Sequence, residues 1–393
     1  MLSNFEIEDF RSFHRLRVDR LGRVNLIVGR NNVGKTMFLE ALRLYASGGN
    51  LTALRNLLLE RDEVITDAQV DPDESEFHLR VATLFHRLPA GRVGPAAFRL
   101  GPIDDGSQIL KIQSRRLTRI RSRESVGVGY TLHVLTENDP KDELNSMPGL
   151  VVTWGNTQKA IYPFQHIDAR RLRHPAGYDN VTRPAFVSAR GVSDREIARW
   201  WDSVALHDAE QRVIDCLKII APVERINLVE HPARRGERLV LIKMAGDAVP
   251  VPLKSLGDGT ARMFQIALAL ECARAGRREG VDSEGEQLFL DRDVEEPPLD
   301  PLILLDEVEN GIHYTVLPDL WRFILRISKL HKVQVFATSH SWDCILGLQA
   351  AAVDVPDAQA MLIRLDRQPL ATKAVLFDQK ELAIVARDEI EVR

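Results

Sequence analysis

The arrangement of apolar and polar residues predicts two kinds of secondary structure in the first half of the chain. The largely apolar segment 24–28 predicts a short buried strand, and residues 36–46 carry apolar side chains at helical spacing, which predicts an amphipathic helix. From about residue 50 to 185 the pattern changes to short alternating segments, such as 77–81 and 130–135, separated by Gly and Pro. This part of the chain is therefore predicted to be an antiparallel, β-rich lobe.

Helical spacing returns in the second half of the chain. Residues 193–220 predict helices, and a run of strong helix formers predicts another over 262–273. Between them, residues 239–251 predict a hairpin that turns at Ala245-Gly246-Asp247. The acidic segment 276–300 is rich in Gly and Pro, and its composition predicts a flexible surface loop.

Strand, helix and strand then recur, at residues 302–305, 317–329 and 333–338. This alternation is typical of a parallel α/β sheet. The chain is thus predicted to have an α/β fold with a mixed or parallel sheet, a β-rich N-terminal lobe and a short helical insertion. We expect three regions, an N-terminal lobe, a helical subdomain and a C-terminal lobe, at 1–190, 191–235 and 236–393.

Composition narrows the class of protein. The 393 residues are 45% apolar and 27% charged, which suits one large domain or two of ordinary size. A net charge of −4 gives no overall nucleic-acid signature, but arginine clusters beginning at Arg115, Arg170 and Arg234 are either solvated faces or binding surfaces. Three scattered cysteines, no signal peptide and no run of about 18 apolar residues predict a soluble cytoplasmic protein.

The clearest chemical motif is Gly29-Arg30-Asn31-Asn32-Val33-Gly34-Lys35-Thr36, which matches the phosphate-loop pattern G-x-x-x-x-G-K-[ST]. In such a loop, backbone N–H groups surround the phosphates, Lys35 reaches the β and γ oxygens, and the Thr36 hydroxyl binds Mg²⁺. A predicted strand leads into the motif and a predicted helix leads out of it. The residues expected to bind the nucleotide are Gly29, Asn31, Asn32, Val33, Gly34, Lys35 and Thr36.

Two further segments place acids and a histidine after predicted strands. Leu302-Ile303-Leu304-Leu305 is followed by Asp306 and Glu307, as expected of a buried strand that ends at a metal site. Asp306 is predicted to hold Mg²⁺ through water, and Glu307 to polarise the attacking water. One predicted strand later, His340 follows Val335-Phe336-Ala337-Thr338-Ser339, where it is predicted to sense or stabilise the γ-phosphate.

A second glycine turn occurs more than two hundred residues after the first. The segment Lys254-Ser255-Leu256-Gly257-Asp258-Gly259-Thr260 opens into the predicted helix at 262–273. Such a turn prepares a helix N-terminus for an anion.

The order of phosphate loop, glycine turn, Asp-Glu pair and histidine resembles the ABC-type ATPases of the SMC, RecF and OLD (overcoming lysogenisation defect) group. Three more segments carry the resemblance: Asp9-Phe10-Arg11-Ser12-Phe13 looks like their N-F-[RK]-S-F element, the doubled asparagine looks like their loop, and Glu309-Asn310-Gly311-Ile312-His313 looks like their E-N-G-[IL]-H run. The resemblance to this group covers residues 1–46 and 185–345. Most similar are stand-alone OLD-like AAA ATPases of bacterial anti-phage systems, which lack a Toprim nuclease domain.

The resemblance implies an ABC-ATPase-like head that hydrolyses ATP, possesses an ABC signature and works as a head-to-tail homodimer or higher homo-oligomer. Arg11 and Ser12 would then bind nucleotide. The second glycine turn would serve the ATP held by the partner subunit, with Ser255, Gly257, Asp258 and Gly259 as its contacts. Lys35, Glu307 and His340 would be catalytic.

The sequence also departs from this family. Gly257 stands where a signature serine is expected, and Val308 stands where proline usually follows the catalytic Glu. No Q-loop is identified, and no segment is long enough for an SMC coiled coil. Only 53 residues follow His340, fewer than a Toprim domain needs, so we expect no nuclease within this chain.

The leading functional hypothesis is an ATPase that regulates a separately encoded effector, such as a Toprim or HNH nuclease, in bacterial anti-phage defence. The main alternative is a RecF-like clamp that binds DNA, or RNA, through its arginine clusters. A third possibility is a scaffold that binds ATP but hardly hydrolyses it, and a membrane transporter head fits least well.

Overall fold

The computed structural model describes residues 1–66, 77–87, 96–123, 128–135, 146–164, 167, 184–234, 236–275, 301–355, 357, 359–368 and 371–388. The predicted loop at 276–300 and the cluster that begins at Arg170 lie outside them. The strands are β1 Phe5–Phe10, β2 Phe13–Val18, β3 Val24–Val28, β4 Val64–Thr66, β5 Phe77–Leu79, β6 Ala96–Gly101, β7 Leu110–Arg123, β8 Val128–Val134, β9 Ser146–Trp154, β10 Thr157–Pro163, β11 Ala185–Val187, β12 Val223–Glu230, β13 Arg238–Met244, β14 Val251–Pro252, β15 Leu302–Leu305, β16 Gln334–Thr338, β17 Ala360–Arg367 and β18 Thr372–Phe377. The helices are α1 Lys35–Ala46, α2 Leu51–Leu59, α3 Asp194–Val204, α4 Asp208–Leu217, α5 Asp258–Ala275, α6 Leu317–His331, α7 Trp342–Asp354 and α8 Gln379–Arg387.

A six-stranded sheet of described residues forms the centre of the fold, in the order β11-β15-β16-β3-β17-β18. Its first five strands are parallel, and only β18 runs antiparallel. Every residue of β3, β15 and β16 is buried, as expected of strands that are covered on both faces. The predicted strand-helix-strand alternation is confirmed, and it brings the carboxyl ends of β3, β15 and β16 to one edge.

The β-rich lobe is also confirmed. Among the described residues it is a seven-stranded antiparallel sheet in the order β10-β9-β7-β6-β1-β2, with β8 pairing with the far half of β7. The helix α2 was not predicted in this region. Asn50 caps it by accepting a hydrogen bond from Ala53 N, and it buries Leu54, Leu57 and Leu58.

The helix α1 lies between the two sheets. The ring of Phe38 packs against Phe5 of β1, with centroids 6.1 Å apart, and against Phe336 of β16 at 6.4 Å. Alternate residues of the central strands, such as Leu26 and Ile303, point to the opposite face, where they meet a second core formed with α3 to α7. The phosphate loop that precedes α1 is thus held between two packed layers.

The helical insertion, α3 and α4, packs on α5. A small sheet adjoins it, in which β13 pairs with β14, as the predicted hairpin requires, and also with the unpredicted β12. The boundary expected at residue 235 therefore falls inside one sheet. No helix in the described residues is long and apolar enough to cross a membrane. The fold is that of a P-loop ATPase with mixed α/β sheets, as predicted.

Candidate active site

The phosphate loop runs from the end of β3 to the start of α1. Gly29 and Gly34 have φ of 143° and 108°, values that side-chain-bearing residues rarely adopt. A Cβ on Gly34 would lie 2.5 Å from the Phe13 ring, and one on Gly29 would lie 2.6 Å from the Leu365 carbonyl oxygen. Because no side chain caps the first turn of α1, its backbone N–H groups remain available to an anion.

Lys35 begins α1 and is buried, with 6% of its surface exposed. Its Nζ donates to the carbonyl oxygens of Gly29, at 2.7 Å, and Arg30, at 3.1 Å. Burial lowers the pKa of Lys35, while the nearby carboxylates of Glu307 and Asp306 oppose this shift. The ammonium group is therefore held against the loop, where phosphate oxygens can replace its carbonyl partners.

Thr36 and Asp306 meet at the other end of the loop. The Thr36 hydroxyl donates to both carboxylate oxygens of Asp306, at 3.2 and 3.3 Å, and the Thr338 hydroxyl donates to one of them at 2.7 Å. Asp306 is only 6% exposed. A hydroxyl and a carboxylate are hard oxygen donors of the kind that Mg²⁺ prefers. The residues present therefore fit a Mg²⁺ site.

Glu307 adopts φ of 50°, an uncommon value for a residue with a side chain. Its backbone N–H donates to the Thr338 hydroxyl at 2.8 Å. The Glu307 side chain is 42% exposed, and its Oε1 lies 3.7 Å from His340 Nε2. The backbone is thus fixed by the neighbouring strand while the carboxylate remains accessible, as a general base requires.

His340 bridges the lysine and the glutamate. Its Nδ1 lies 3.2 Å from Lys35 Nζ. Because an ammonium group can only donate, Nδ1 must accept this hydrogen bond, and in the neutral imidazole Nε2 then carries the proton and faces Glu307. The predicted residues Lys35, Thr36, Asp306, Glu307 and His340 therefore share one edge of the central sheet.

Glu309 holds the histidine segment in place. Its Oε1 accepts hydrogen bonds from the Ser339 hydroxyl at 2.7 Å, from His340 N at 2.9 Å and from Ser341 N at 3.2 Å. The sequence marked Glu309 only as part of the E-N-G-[IL]-H run. The structure shows that it connects the segment after Glu307 to the segment around His340.

Arg262 of α5 is a site residue that sequence reasoning missed. It is 4% exposed, and its guanidinium donates to the carbonyl oxygens of Ser188, at 2.5 Å, Glu307, at 3.0 Å, and Asp306. Burial lowers the pKa of Arg262 to about 10, although nearby carboxylates, Asp306 first, oppose the shift. The helix that follows the second glycine turn is thus bonded to the backbone of the acidic pair.

The second glycine turn lies at the start of α5. Gly257, with φ of 90°, ends a 3-10 turn, and the helix itself begins at Asp258. Ser255, Gly257 and Asp258 are exposed. No hydrogen bond or ion pair within the described residues joins 255–259 to the phosphate loop of the same chain. This helix N-terminus is accessible from outside the protomer.

Gly259 has a different environment from the one expected. It lies in the first turn of α5, and a Cβ there would lie 2.5 Å from the carbonyl oxygen of Gly311. Its missing side chain is therefore explained by a close contact within the protomer. A larger residue at 259 would disturb this contact before it could affect a second subunit.

Arg11 corrects another expectation. Its side chain is 3% exposed, and its guanidinium pairs with Glu40 at 2.6 Å and Glu63 at 2.8 Å. Since two carboxylates already hold it, Arg11 links the turn between β1 and β2 to α1 and to the segment after α2, and it is not free to bind phosphate. Ser12 is exposed beside α1, and its hydroxyl lies 3.0 Å from Met37 Sδ.

Two family models match the chain. One, described as "AAA domain, putative AbiEii toxin, Type IV TA system", matches residues 168–345, and another, described as "AAA domain", matches residues 4–122. Among curated proteins, an "ATP/GTP phosphatase" of Helicobacter pylori is 21% identical over 88% of this chain and 86% of that protein. An uncharacterized protein of Methanocaldococcus jannaschii is 36% identical over 66 residues, which are 16% of this chain and 30% of that protein.

SMC heads are among the solved structures with a similar chain course. An Smc head bound to the C-winged helix domain of ScpA has a TM-score of 0.49 at 13% identity, covering 97% of this chain and 99% of that chain. The SMC head domain of Thermotoga maritima has a TM-score of 0.41 at 12% identity, covering 95% and 98%. Identity and TM-scores are low, and the fold assignment rests on the strand order and the phosphate loop.

The matching family models cover the phosphate loop in one case and the Asp306-Glu307 and His340 segments in the other. Both models describe AAA domains, and the site brings their two segments together at one edge of the central sheet. Residues 4–122 and 168–345 thus resemble AAA domains, and the reaction of this chain is the hydrolysis of ATP.

Proposed function

We propose that this ATPase dimerises head to tail on binding ATP and regulates a separately encoded effector in bacterial anti-phage defence, as an OLD-like ATPase. The observation that carries the proposal is the position of α5. Its N-terminal turn is exposed and unbonded to its own phosphate loop, whereas Arg262, one turn further on, is bonded to the backbone of Asp306 and Glu307. A nucleotide bound by a second subunit could therefore affect, through α5 and Arg262, the position of Asp306 and Glu307 in the first subunit.

Within each site we propose the following roles. The loop residues Gly29 to Gly34 and Lys35 bind the phosphates, and Thr36 with Asp306 would hold Mg²⁺, which, when bound, screens the charge of the phosphates. Glu307 accepts the proton of the attacking water. Ser255, Gly257 and Asp258 contact the partner's nucleotide mainly through backbone amides at the start of α5.

Asp258 makes this contact dependent on metal-bound nucleotide. An acidic residue in the first turn stabilises the helix but repels a bare phosphate. In the composite site, the positive charge that balances the phosphates therefore comes from the partner's loop lysine and from the metal, and not from the turn at residues 255–259.

Dimerisation tests the proposal. The substitution Glu307→Gln should slow hydrolysis while ATP binding persists, so we expect light scattering to show a doubled mass with Mg·ATP and a single protomer with ADP. Adding Ser255→Glu at the exposed turn should prevent dimerisation but not ATP binding, because the new carboxylate would face the partner's phosphates. Thr157→Glu, which adds the same charge at an exposed position of β10, is the control. Equal masses in ATP and ADP would contradict the proposal.

The role in defence has a narrower support. One matching family model is described with an AbiEii toxin and a type IV toxin-antitoxin system. We propose that the effector is a nuclease encoded beside this gene. This nuclease should co-purify with the Glu307→Gln protein in one nucleotide state only. Co-purification in every nucleotide state, or no co-purification in any, would argue against regulation by ATP.

A second candidate function, nucleic-acid binding, is favoured by the outward face of the antiparallel sheet. Arg99 and Lys111 are directly opposite on β6 and β7, an unfavourable pairing of like charges. Burial lowers the pKa of Lys111, and the charges of Arg99 and Arg115 lower it further. If this face binds a phosphate backbone, Arg115→Glu with Arg119→Glu should abolish a salt-sensitive affinity for DNA; affinity unaffected by salt or by these changes excludes it.

A further inference from the structure

A tight turn follows β11, directly beside the acidic pair. Gly191 N donates to the Ser188 carbonyl at 2.9 Å, and the Ser188 hydroxyl donates to the Gly191 carbonyl at 2.7 Å. Gly191 adopts φ of 90°, which closes the turn. Arg190 is thus the penultimate residue of a four-residue turn whose ends are fastened to each other.

The neighbouring elements hold this turn from two sides. The Ser188 carbonyl accepts from Arg262 of α5 at 2.5 Å, and the Ala189 carbonyl accepts from Asn310 Nδ2 at 2.9 Å. The turn also lies level with the acidic pair, because Val187 pairs with Leu305 and accepts a hydrogen bond from Asp306 N at 2.9 Å. Arg190 therefore extends from a fixed point at the edge where Asp306 lies.

The side chain of Arg190 is uncommitted. It is exposed, and within the described residues it has no hydrogen bond or ion pair. It lines a cavity of about 640 Å³ whose wall also includes Thr36 and Asp306. The wall has three other arginines, and each is engaged: Arg43 pairs with Glu60 at 2.6 Å, Arg61 pairs with Glu40 at 2.5 Å, and Arg199 also has a partner.

The charge around this edge makes an additional cation useful. Asp306, Glu307 and Glu309 all lie near it, and the Lys35 ammonium group is bonded back onto the carbonyls of Gly29 and Arg30 in the loop. A phosphoryl group in transfer spreads negative charge over its oxygens, and a guanidinium group can bind two of these oxygens at once. Because the turn fixes the backbone, only the rotamers of the Arg190 side chain must be ordered for this contact.

We infer that Arg190 binds the phosphate chain of ATP from the cavity side, opposite Lys35, and stabilises the charge that develops on the γ-phosphoryl group during hydrolysis. The Ser188–Gly191 turn positions Arg190 for this contact. The inference concerns the reaction within one phosphate loop and rests on ATP hydrolysis, not on the proposed dimerisation or effector.

Steady-state hydrolysis and nucleotide binding together test the inference. At saturating Mg·ATP, Arg190→Ala should lower kcat about 100-fold, and Arg190→Lys, which keeps the charge, should recover at least about tenfold of this loss. The Kd for a fluorescent ATP analogue should change less than about threefold, because the contact strengthens in the transition state. Arg195→Ala, an exposed arginine of α3 that does not line the cavity, is the matched control.

A kcat of Arg190→Ala within about twofold of the control would overturn the inference and leave Arg190 a solvated surface residue. An equal loss of kcat in Arg190→Ala and Arg190→Lys would also overturn it, since charge would then be irrelevant. Thermal unfolding of each variant detects a folding defect, and Arg190→Gln replaces alanine if one occurs. Light scattering of Arg190→Ala with Glu307→Gln separates this result from dimerisation, which should still respond to ATP.

Discussion

Glu307 shows how a single residue can be fixed and reactive at once. Its left-handed backbone is costly for a residue with a Cβ, and such strain persists only where neighbours determine the conformation. Here the Thr338 hydroxyl accepts from Glu307 N at 2.8 Å, and the Thr338 carbonyl accepts from Val308 N at 3.0 Å. One residue of β16 thus fixes the backbone on both sides of Glu307, while the carboxylate stays accessible.

Lys35 leads to a prediction about pH. Burial lowers its pKa below the usual 10.5, so the free protein loses this proton at a lower pH than a solvated lysine does. Bound phosphates favour the charged form and should raise the pKa again. ATP binding should therefore take up protons in the window just below pH 10.5 and none through Lys35 at neutral pH.

Calorimetry in buffers of different ionisation enthalpy measures this uptake. The expected result is a binding enthalpy that depends on the buffer in the alkaline window. The Kd for ATP should increase as pH rises through the same window. Proton uptake that is the same at neutral and alkaline pH would show that the lysine is not desolvated before ATP binds.

At the scale of elements, Arg262 joins α5 to the catalytic edge by hydrogen bonds. Its guanidinium satisfies three carbonyl groups of Ser188, Asp306 and Glu307, two of them in the segment that carries the acids. A buried carbonyl group that loses its donor costs about 1–3 kcal/mol. The attachment therefore contributes to the stability of the fold as well as to the position of the site.

Replacing Arg262 with methionine tests this attachment. Arg262→Met keeps most of the side chain's length but removes its donors, so the free energy of unfolding should fall by about 2–4 kcal/mol. Urea unfolding measures it, with the exposed Arg195→Met as the control. A loss below about 0.5 kcal/mol would mean that water satisfies these carbonyls and that α5 is held by its apolar contacts alone.

Sequence patterns predicted the site residues where the chemistry is local. The phosphate loop and the Asp306-Glu307 pair are contiguous in sequence, and each lies beside a strand that its apolar run reveals. Arg262 was missed because its partners are backbone carbonyls 44 or more positions away, and a backbone group leaves no mark in a sequence. Arg11 matched a family element, yet its partners Glu40 and Glu63 could not be known without the packing of α1 and of the segment after α2.

The secondary-structure elements, like the site residues, were predicted where the local sequence pattern identifies them and missed where it does not. The central strands β3, β15 and β16 are largely apolar because both faces are covered, and these three were predicted. The segment 51–59 has leucines at helical spacing after the capping Asn50, but it was assigned to the β-rich lobe because its neighbours alternate. The strand β12 was missed because its exposed positions include glutamate and arginine. Its pairing with β13, which the sequence does not show, identifies it as a strand.

For the whole molecule, the proposed dimer explains why one chain has two glycine turns that do not meet. The phosphate loop and the turn at residue 257 both have exposed residues, and the described contacts join neither to the other. Two protomers related by a two-fold axis would place each turn on the other's loop, giving two equivalent sites. Gly259 packs against the Gly311 carbonyl within its own protomer, so a substitution at Ser255 is the better test of the contact between subunits.

Complementation between two inactive variants tests this composite site most directly. Lys35→Ala should be inactive because its loop cannot hold ATP, and Ser255→Glu should be inactive because its turn cannot serve the partner. A mixed dimer contains one intact site, built from the loop of the Ser255→Glu subunit and the turn of the Lys35→Ala subunit. An equal mixture should therefore regain up to about one quarter of wild-type ATP hydrolysis. A mixture no more active than its folded components, or a Ser255→Glu protein that hydrolyses ATP normally alone, would contradict the proposed dimer.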